Sequence, residues 1–222
     1  MFDKFISKIS DELQKPLPGE NAQFIMAPLQ RKKGVSSKEK QKAKIASVLI
    51  LFYPYHESVF VPLILRTSYE GTHSSQVSFP GGQFDPQDEH PETTALRETE
   101  EEIGINREKI NLIGKLTPIY ITPSNFLVHP FVGFANERLD FSIDKTEVEK
   151  LLEIDIYDLI DDSKIKIKQI IHRRTGTLMD TPYFDIQNQI IWGATAMIIS
   201  ELKIILENAL KRKCSKNIFR SS

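Results

Sequence analysis

Residues 79–105, FPGGQFDPQDEHPETTALRETEEEIGI, place a glycine pair, a polar loop and a helix-forming segment in direct succession, and that segment carries Glu98, Glu100, Glu101 and Glu102 almost side by side. Like charges this dense repel and weaken a helix, so another part of the folded chain must compensate. Positions i, i+3 and i+4 share a helix face, which groups Glu98, Glu101 and Glu102 and turns Glu100 elsewhere. At an effective dielectric of about 20, two carboxylates ~4 Å apart repel by roughly 4 kcal/mol, enough to raise a pKa or to require a counter-ion. A hard divalent cation meets that requirement, because it takes carboxylate oxygens and keeps positions open for water and phosphate; the ligands of softer metals, histidine and cysteine, are missing from the helix itself. Arg97 is placed to hold a carboxylate by a bidentate contact. The plainer alternative is a solvated acidic face with an Arg97–Glu101 pair at i,i+4. Gly81 and Gly82 permit close approach of a ligand or metal to the backbone, or else form an ordinary turn.

The chain has 222 residues, 40% of them hydrophobic, which is enough for one sizeable core, and a single domain over 1–222 is expected. A net charge of −1 provides no global basic field, so nucleic acid is not the expected partner and a polyanionic ligand must be held locally or through a metal. The lone Cys214 excludes an intrachain disulfide framework and a cysteine-based zinc site, and suits a reducing cytoplasm. The longest apolar run, 45–53, is about half of the ~20 residues that a spanning helix needs, so no membrane partner is expected. Phe2, Phe5, Ile6, Ile9 and Leu13 are spaced as an amphipathic helix over 1–15 rather than as a signal peptide. The basic stretch of Arg31, Lys32, Lys33, Lys38, Lys40, Lys42 and Lys44 reads as a solvated loop or as an attractor for a phosphorylated ligand.

Around these features the chain is rich in strands. IASVLILFY from Ile45 and VFVPLILR ending at Arg66, joined by turn-like PYHES, are expected as a hairpin. QVSFPGG is a short strand ending in the glycine loop; Pro91 opens the acidic helix and Gly104 closes it. INLIGKLTPIYI and VHPFVGFA read as strands joined by TPSNF, while EVEKLLEIDIYDLI mixes helical spacing with apolar residues. KIKIKQIIHRR alternates as a strand, and YFDIQNQIIWG is another with a turn near QNQ. The last helix, over 193–213, has apolar residues at Met197, Ile198, Leu202, Ile205, Leu206 and Leu210 and a basic end that suits its dipole. Mixed strands with helices at the start, middle and end define an α/β or α+β layered fold.

RETEEEIGI matches the second half of GX5EX7REUXEEXGU, the signature of the Nudix hydrolases, at every specified position, with Thr99 at a usually apolar place. Glu89 falls on the first glutamate of the signature, whereas its glycine falls on Gln83, one residue after Gly82. That one-residue expansion, together with FPGG, Asp85, Asp88 and TALRE, resembles the coenzyme A pyrophosphatase subfamily. VPLILR, QVSFPGG, PSNFLVHPFVG and IWGATA are also similar to its segments, so the resemblance extends from about residue 17 to the last helix. Where that subfamily has an arginine and then a glycine, this chain has Gly71 and Ser75, which removes a cation from the expected contact with the 3'-phosphate of coenzyme A.

The resemblance implies the Nudix fold, a mixed β-sheet between α-helices, with the box as a loop–helix–loop over 79–105. It implies Mg2+ or Mn2+ held by Glu98, Glu101 and Glu102, with the Gly82 carbonyl as a further ligand and Arg97 beside them. Glu98, Glu147 and Glu149 are candidate general bases. Arg66, Gly81, Tyr120, Asn125 and Phe126 are candidate substrate contacts, although Asn125 serves equally as a turn residue and Arg66 as a surface ion pair. His73 is a candidate ligand contact or an ordinary loop histidine, and Trp192 is expected in the core. The implied substrate is a small nucleotide, coenzyme A or a derivative, split into 3',5'-ADP and 4'-phosphopantetheine; a homodimer is left open. The alternatives are another nucleoside diphosphate derivative, such as ADP-ribose or NADH, and a nucleotide-sensing domain without turnover.

Overall fold

The computed structural model describes residues 1–28, 41–67, 76–171, 176 and 178–211. Gly71, His73, Ser75, Cys214 and the basic positions from Arg31 to Lys40 lie outside the described residues. Helix α1 (Phe2–Leu13) buries Phe5, Ile6, Ile9 and Leu13 at helical spacing, and a short helix α2 (Gly19–Gln23) follows it. Next come strands β1 (Lys44–Tyr55), β2 (Ser58–Arg66), β3 (Val77–Ser78) and β4 (Gly81–Gln83), then helix α3 (Pro91–Ile103). The chain continues through β5 (Asn111–Lys115), β6 (Ile119–Ile121), β7 (Phe126–Phe134), β8 (Val148–Asp155) and the single turn α4 (Ile156–Leu159). It closes with β9 (Ile165–Ile171), β10 (Leu178–Ile186), β11 (Gln189–Ile191) and α5 (Gly193–Ala209).

Eight strands form one sheet in the order β3-β2-β1-β7-β5, with β4 added on β1, β6 on β7 and β8 on β2; β11-β10-β9 form a smaller sheet. The larger sheet is mixed, because β1 runs parallel to β7 while its other pairings are antiparallel. The expected hairpin exists only at its tip, from Tyr53↔Phe60 to Tyr55↔Ser58, after which β1 leaves β2 and pairs with β7 from Lys44 to Phe52. Alternation along β1 assigns its residues to two cores. Ile50 and Phe52 pack with α1 and α5, whereas Leu49, Leu51 and Tyr53 pack with Ala95 and Ile103 of α3.

Two further expectations are corrected. Residues 148–155, read as partly helical, form a strand that pairs with β2 from Arg66↔Val148 to Phe60↔Asp155. The adjacent Leu151 and Leu152 imitate helical spacing because this strand packs apolar residues against both cores. The last helix ends at Ala209, not at 213, and its last turn carries no basic residue, so the expected dipole match is not made there. Glu201 of α5 is completely buried and accepts hydrogen bonds from the Gly19 N–H at 3.0 Å, Gln23 Nε2 at 2.9 Å and the Thr117 hydroxyl at 2.6 Å. This carboxylate ties the segment after α1 to the last helix.

Candidate active site

The glycine pair sets how closely α3 approaches the sheet. At Gly81, with φ of 150°, a Cβ would lie 2.2 Å from the Ser47 carbonyl oxygen and 2.6 Å from Val48 Cα, so only glycine fits there. At Gly82 a Cβ would come within 2.4 Å of the Glu98 carboxylate. Arg66, at the end of β2, donates to the Gly81 carbonyl at 2.5 Å and lies 2.7 Å from Glu102 Oε1. The Gly81 N–H donates to Glu102 Oε2 at 2.8 Å.

Glu102 is 1% exposed. Burial pushes its carboxyl up to about 7, against the opposing pull of Arg66 and the Gly81 N–H, and the charges of Glu98 and Glu147 add to the rise. Although Arg66 Nη2 is 2.7 Å from Oε1, no donor aligns with that oxygen as a hydrogen bond. The contact is therefore an ion pair that leaves a buried lone pair free.

Arg97 serves the outer side of the helix. Its bidentate partner is Asp88, with Nε to Oδ1 at 2.9 Å and Nη2 to Oδ2 at 3.0 Å; it also lies 3.0 Å from Glu98 Oε1 and 2.7 Å from Glu101 Oε2. Asp88 accepts a further bond from the Thr94 hydroxyl at 2.8 Å, and the Arg97 contact, helped by Thr94, holds it down at about 2. Burial raises the Glu98 carboxyl, while Arg97 opposes the rise. Glu100 pairs with Arg107 at 2.7 Å. The repulsion expected along the helix is thus answered by Arg66, Arg97 and Arg107.

The three grouped glutamates differ in setting. Glu98 sits against Gly82 and Glu102 against Gly81, whereas the Glu101 side chain is 57% exposed and bound to Arg97. Among the described residues no group of three or more His, Cys, Asp and Glu already converges as metal ligands. The donor chemistry nevertheless fits a hard divalent cation: carboxylate oxygens only, one of them buried and without an aligned donor, beside a glycine strand that lets an ion approach the main chain.

The other candidate residues lie at the start of β8, beside Arg66, and on β6 and β7, beside the start of β1. Glu147 is exposed just before β8, near enough to Glu102 for its charge to act there, and its carbonyl accepts the Thr67 N–H at 2.9 Å. Glu149 is exposed on β8. Phe126 lies opposite Lys44, and Tyr120 opposite Leu127. Strand alternation turns Phe126 toward the α5 side and Tyr120 toward the α3 side, so these two substrate candidates do not share a face. Asn125, with φ of 55°, accepts from the Tyr120 hydroxyl at 3.0 Å and donates to the Lys42 carbonyl at 3.2 Å, as a turn residue does. Glu89 and Asp85 are exposed around the turn before α3. Trp192 is half-buried at the N-cap of α5, not deep in the core; it borders a cavity of about 570 Å3 lined also by Leu65, Val77, Lys168 and Ile170. Residue-by-residue reading missed the Asp88–Thr94–Arg97 network; an acidic residue just before a Pro-initiated helix was its only local sign.

A family model described as NUDIX domain matches residues 44–168, more than half of the chain, and the chain belongs to the Nudix family. Nudix hydrolases generally act on small nucleotide derivatives with the help of divalent metal ions. A protein of Yersinia enterocolitica described as "Uncharacterized Nudix hydrolase NudL" is 35% identical over 159 residues, covering 67% of this chain and 80% of the relative. A protein of Photorhabdus laumondii with the same description is 32% identical over 157 residues, covering 66% and 82%. The fold is similar to the crystal structure of RenU, a Nudix hydrolase from M. Smegmatis, with a TM-score of 0.52 at 16% identity over 73% of this chain and 85% of that one. Among the described residues no helix is long and apolar enough to cross a membrane.

Proposed function

We propose that the chain is a single-domain, divalent-metal-dependent Nudix pyrophosphohydrolase that splits the diphosphate of coenzyme A or a derivative into 3',5'-ADP and 4'-phosphopantetheine. The observation that carries the catalytic reading is the buried Glu102 carboxylate, docked on Gly81 with one oxygen left without an aligned donor, close to Glu98. When bound, Mg2+ or Mn2+ offsets the charge of the diphosphate and acidifies water for attack on phosphorus.

Glu98, Glu101 and Glu102 would hold the cation, with the Gly82 carbonyl as a further ligand. Arg97 orients Glu98 and Glu101 against Asp88. Arg66 keeps Glu102 and the Gly81 backbone in register, and it faces the substrate phosphates. Glu147 takes the proton as the water oxygen joins phosphorus and the P–O–P bridge breaks. The coenzyme A assignment rests on the similarity of QVSFPGG, PSNFLVHPFVG and IWGATA to that subfamily. Gly71 and Ser75 favour a second reading, in which the substrate is another nucleoside diphosphate derivative such as ADP-ribose or NADH.

Purified protein with Mg2+ or Mn2+ is assayed against coenzyme A, ADP-ribose and NADH, and coenzyme A is expected to give the highest kcat/KM. Glu101→Gln and Glu102→Gln are expected to lower turnover by at least about a hundredfold while the circular dichroism spectrum stays unchanged. Wild-type turnover in either variant would refute the assigned role.

A further inference from the structure

We infer that Ser47 is a positioning residue for Glu98: its buried hydroxyl aims the Glu98 carboxylate at the divalent cation. The inference deepens the function proposed above and rests on its metal site.

Strand register brings the two side chains together. Ser47 lies opposite Gly82 of β4 on one side and opposite His129 of β7 on the other. Residues directly opposite share a face of the sheet, and alternation along β1 gives Ser47 the face of Leu49 and Leu51, which α3 covers through Ala95 and Ile103. Side chains paired in this way stand about 5 Å apart at Cβ. A Cβ on Gly82 would be 2.4 Å from the Glu98 carboxylate, so that carboxylate fills the place beside Ser47 that a side chain at position 82 would take. The close approach of Gly81 to the Ser47 carbonyl fixes the backbone that carries the hydroxyl.

The hydroxyl itself is stranded. Ser47 is 0% exposed, yet its Oγ meets no hydrogen-bond partner. Ser58, Ser78 and Ser124 also have a buried Oγ without a partner, but each of those residues is partly exposed. A hydroxyl shut away from water and left unpaired destabilises a fold, and alanine would occupy the same strand position without that cost. Serine has one heavy-atom side-chain torsion, and a turn about it re-aims Oγ without moving the backbone. With a cation bound, Glu98 is held ionised, and an ionised carboxylate is the strong acceptor that the hydroxyl lacks. Arg97 already lies 3.0 Å from Glu98 Oε1 on the outer side of the helix. Ser47 adds a hold from the sheet side, so the carboxylate is gripped from two directions and the oxygen it presents to the cation is fixed.

The test is Mn2+ binding by the full chain without substrate, followed by electron paramagnetic resonance, together with thermal melts in EDTA. Ser47→Ala is expected to raise the Kd for Mn2+ about tenfold. In EDTA the same variant is expected to melt no lower than wild type, because it loses an unpaired hydroxyl; a serine with a merely structural role would lower the melting temperature by about 3 °C or more. In a Glu98→Gln background Ser47→Ala is expected to add less than about twofold, because the carboxylate it serves is gone, whereas the full loss there would assign the hydroxyl to another neighbour such as His129. The inference is overturned by a Ser47→Ala variant that binds Mn2+ within about twofold of wild type, by the structural drop in melting temperature, or by the full loss in the Glu98→Gln background. A wild type that shows the expected responses but hydrolyses none of the candidate substrates retains the role of Ser47 and discards the proposed reaction. One that hydrolyses them while Ser47→Ala leaves Mn2+ binding unchanged retains the reaction and discards the role; a wild type that binds no Mn2+ discards both.

Discussion

A single guanidinium, that of Arg97, holds Asp88, Glu98 and Glu101 together, and it binds Asp88 most closely in geometry. Asp88 is 6% exposed, so removing its carboxylate strands the Thr94 hydroxyl and part of Arg97 in a desolvated place. Asp88→Ala is expected to cost about 2 kcal/mol at neutral pH, measured by urea denaturation. The pH dependence follows from its depressed carboxyl. The folded value of about 2 lies below the unfolded value of 3.8, so the unfolded chain binds more protons between them and stability falls with acidification in that range. The contribution is complete above the unfolded value and is lost as the pH falls through the folded one. The gap between wild type and Asp88→Ala is therefore expected to shrink from pH 5 toward pH 2.

At the scale of elements, β4 and α3 are locked together by two glycines with different duties. Gly81→Ala would drive a methyl group into the backbone of Ser47 and Val48, which has nowhere to go, and a loss of about 3 kcal/mol or more is expected in thermal melts. At Gly82→Ala the nearest atoms are those at the end of the Glu98 side chain rather than backbone, so stability is expected to change by less than about 1 kcal/mol while metal-dependent turnover falls, because Glu98 must swing away. Helical period made the grouping of Glu98, Glu101 and Glu102 legible in the sequence, and the Arg97–Glu101 pair is found at the expected i,i+4 spacing. Period could not reveal that Glu102 docks on Gly81, because that contact depends on how the helix lies on the sheet. The same limit applies to the strands. Apolar runs announced β1 and β2, but their early separation is decided by β7, far along the chain. In β8 burial on both sides blurred the alternation on which strand recognition depends.

For the molecule as a whole, Glu201 joins segments distant in sequence: the residues after α1, the connection between β5 and β6, and α5. A buried carboxylate with this many donors is well satisfied, and its removal takes the acceptor from the Gly19 and Thr117 N–H groups and the Thr117 hydroxyl at once, while Gln23 keeps only its bond to the Thr117 carbonyl. Glu201→Ala is expected to cost about 4 kcal/mol in chemical denaturation, more than any change on the exposed face of α3. The parallel pairing of β1 with β7 has a consequence of another kind, for the chain as it is made. An apolar strand that emerges early from the ribosome has no long partner until residue 134 has followed it out. Until then it has only the short pairings with β2 and β4, so the central sheet of the nascent protein assembles late, and chaperones have their strongest claim on the residues from Lys44 to Tyr55.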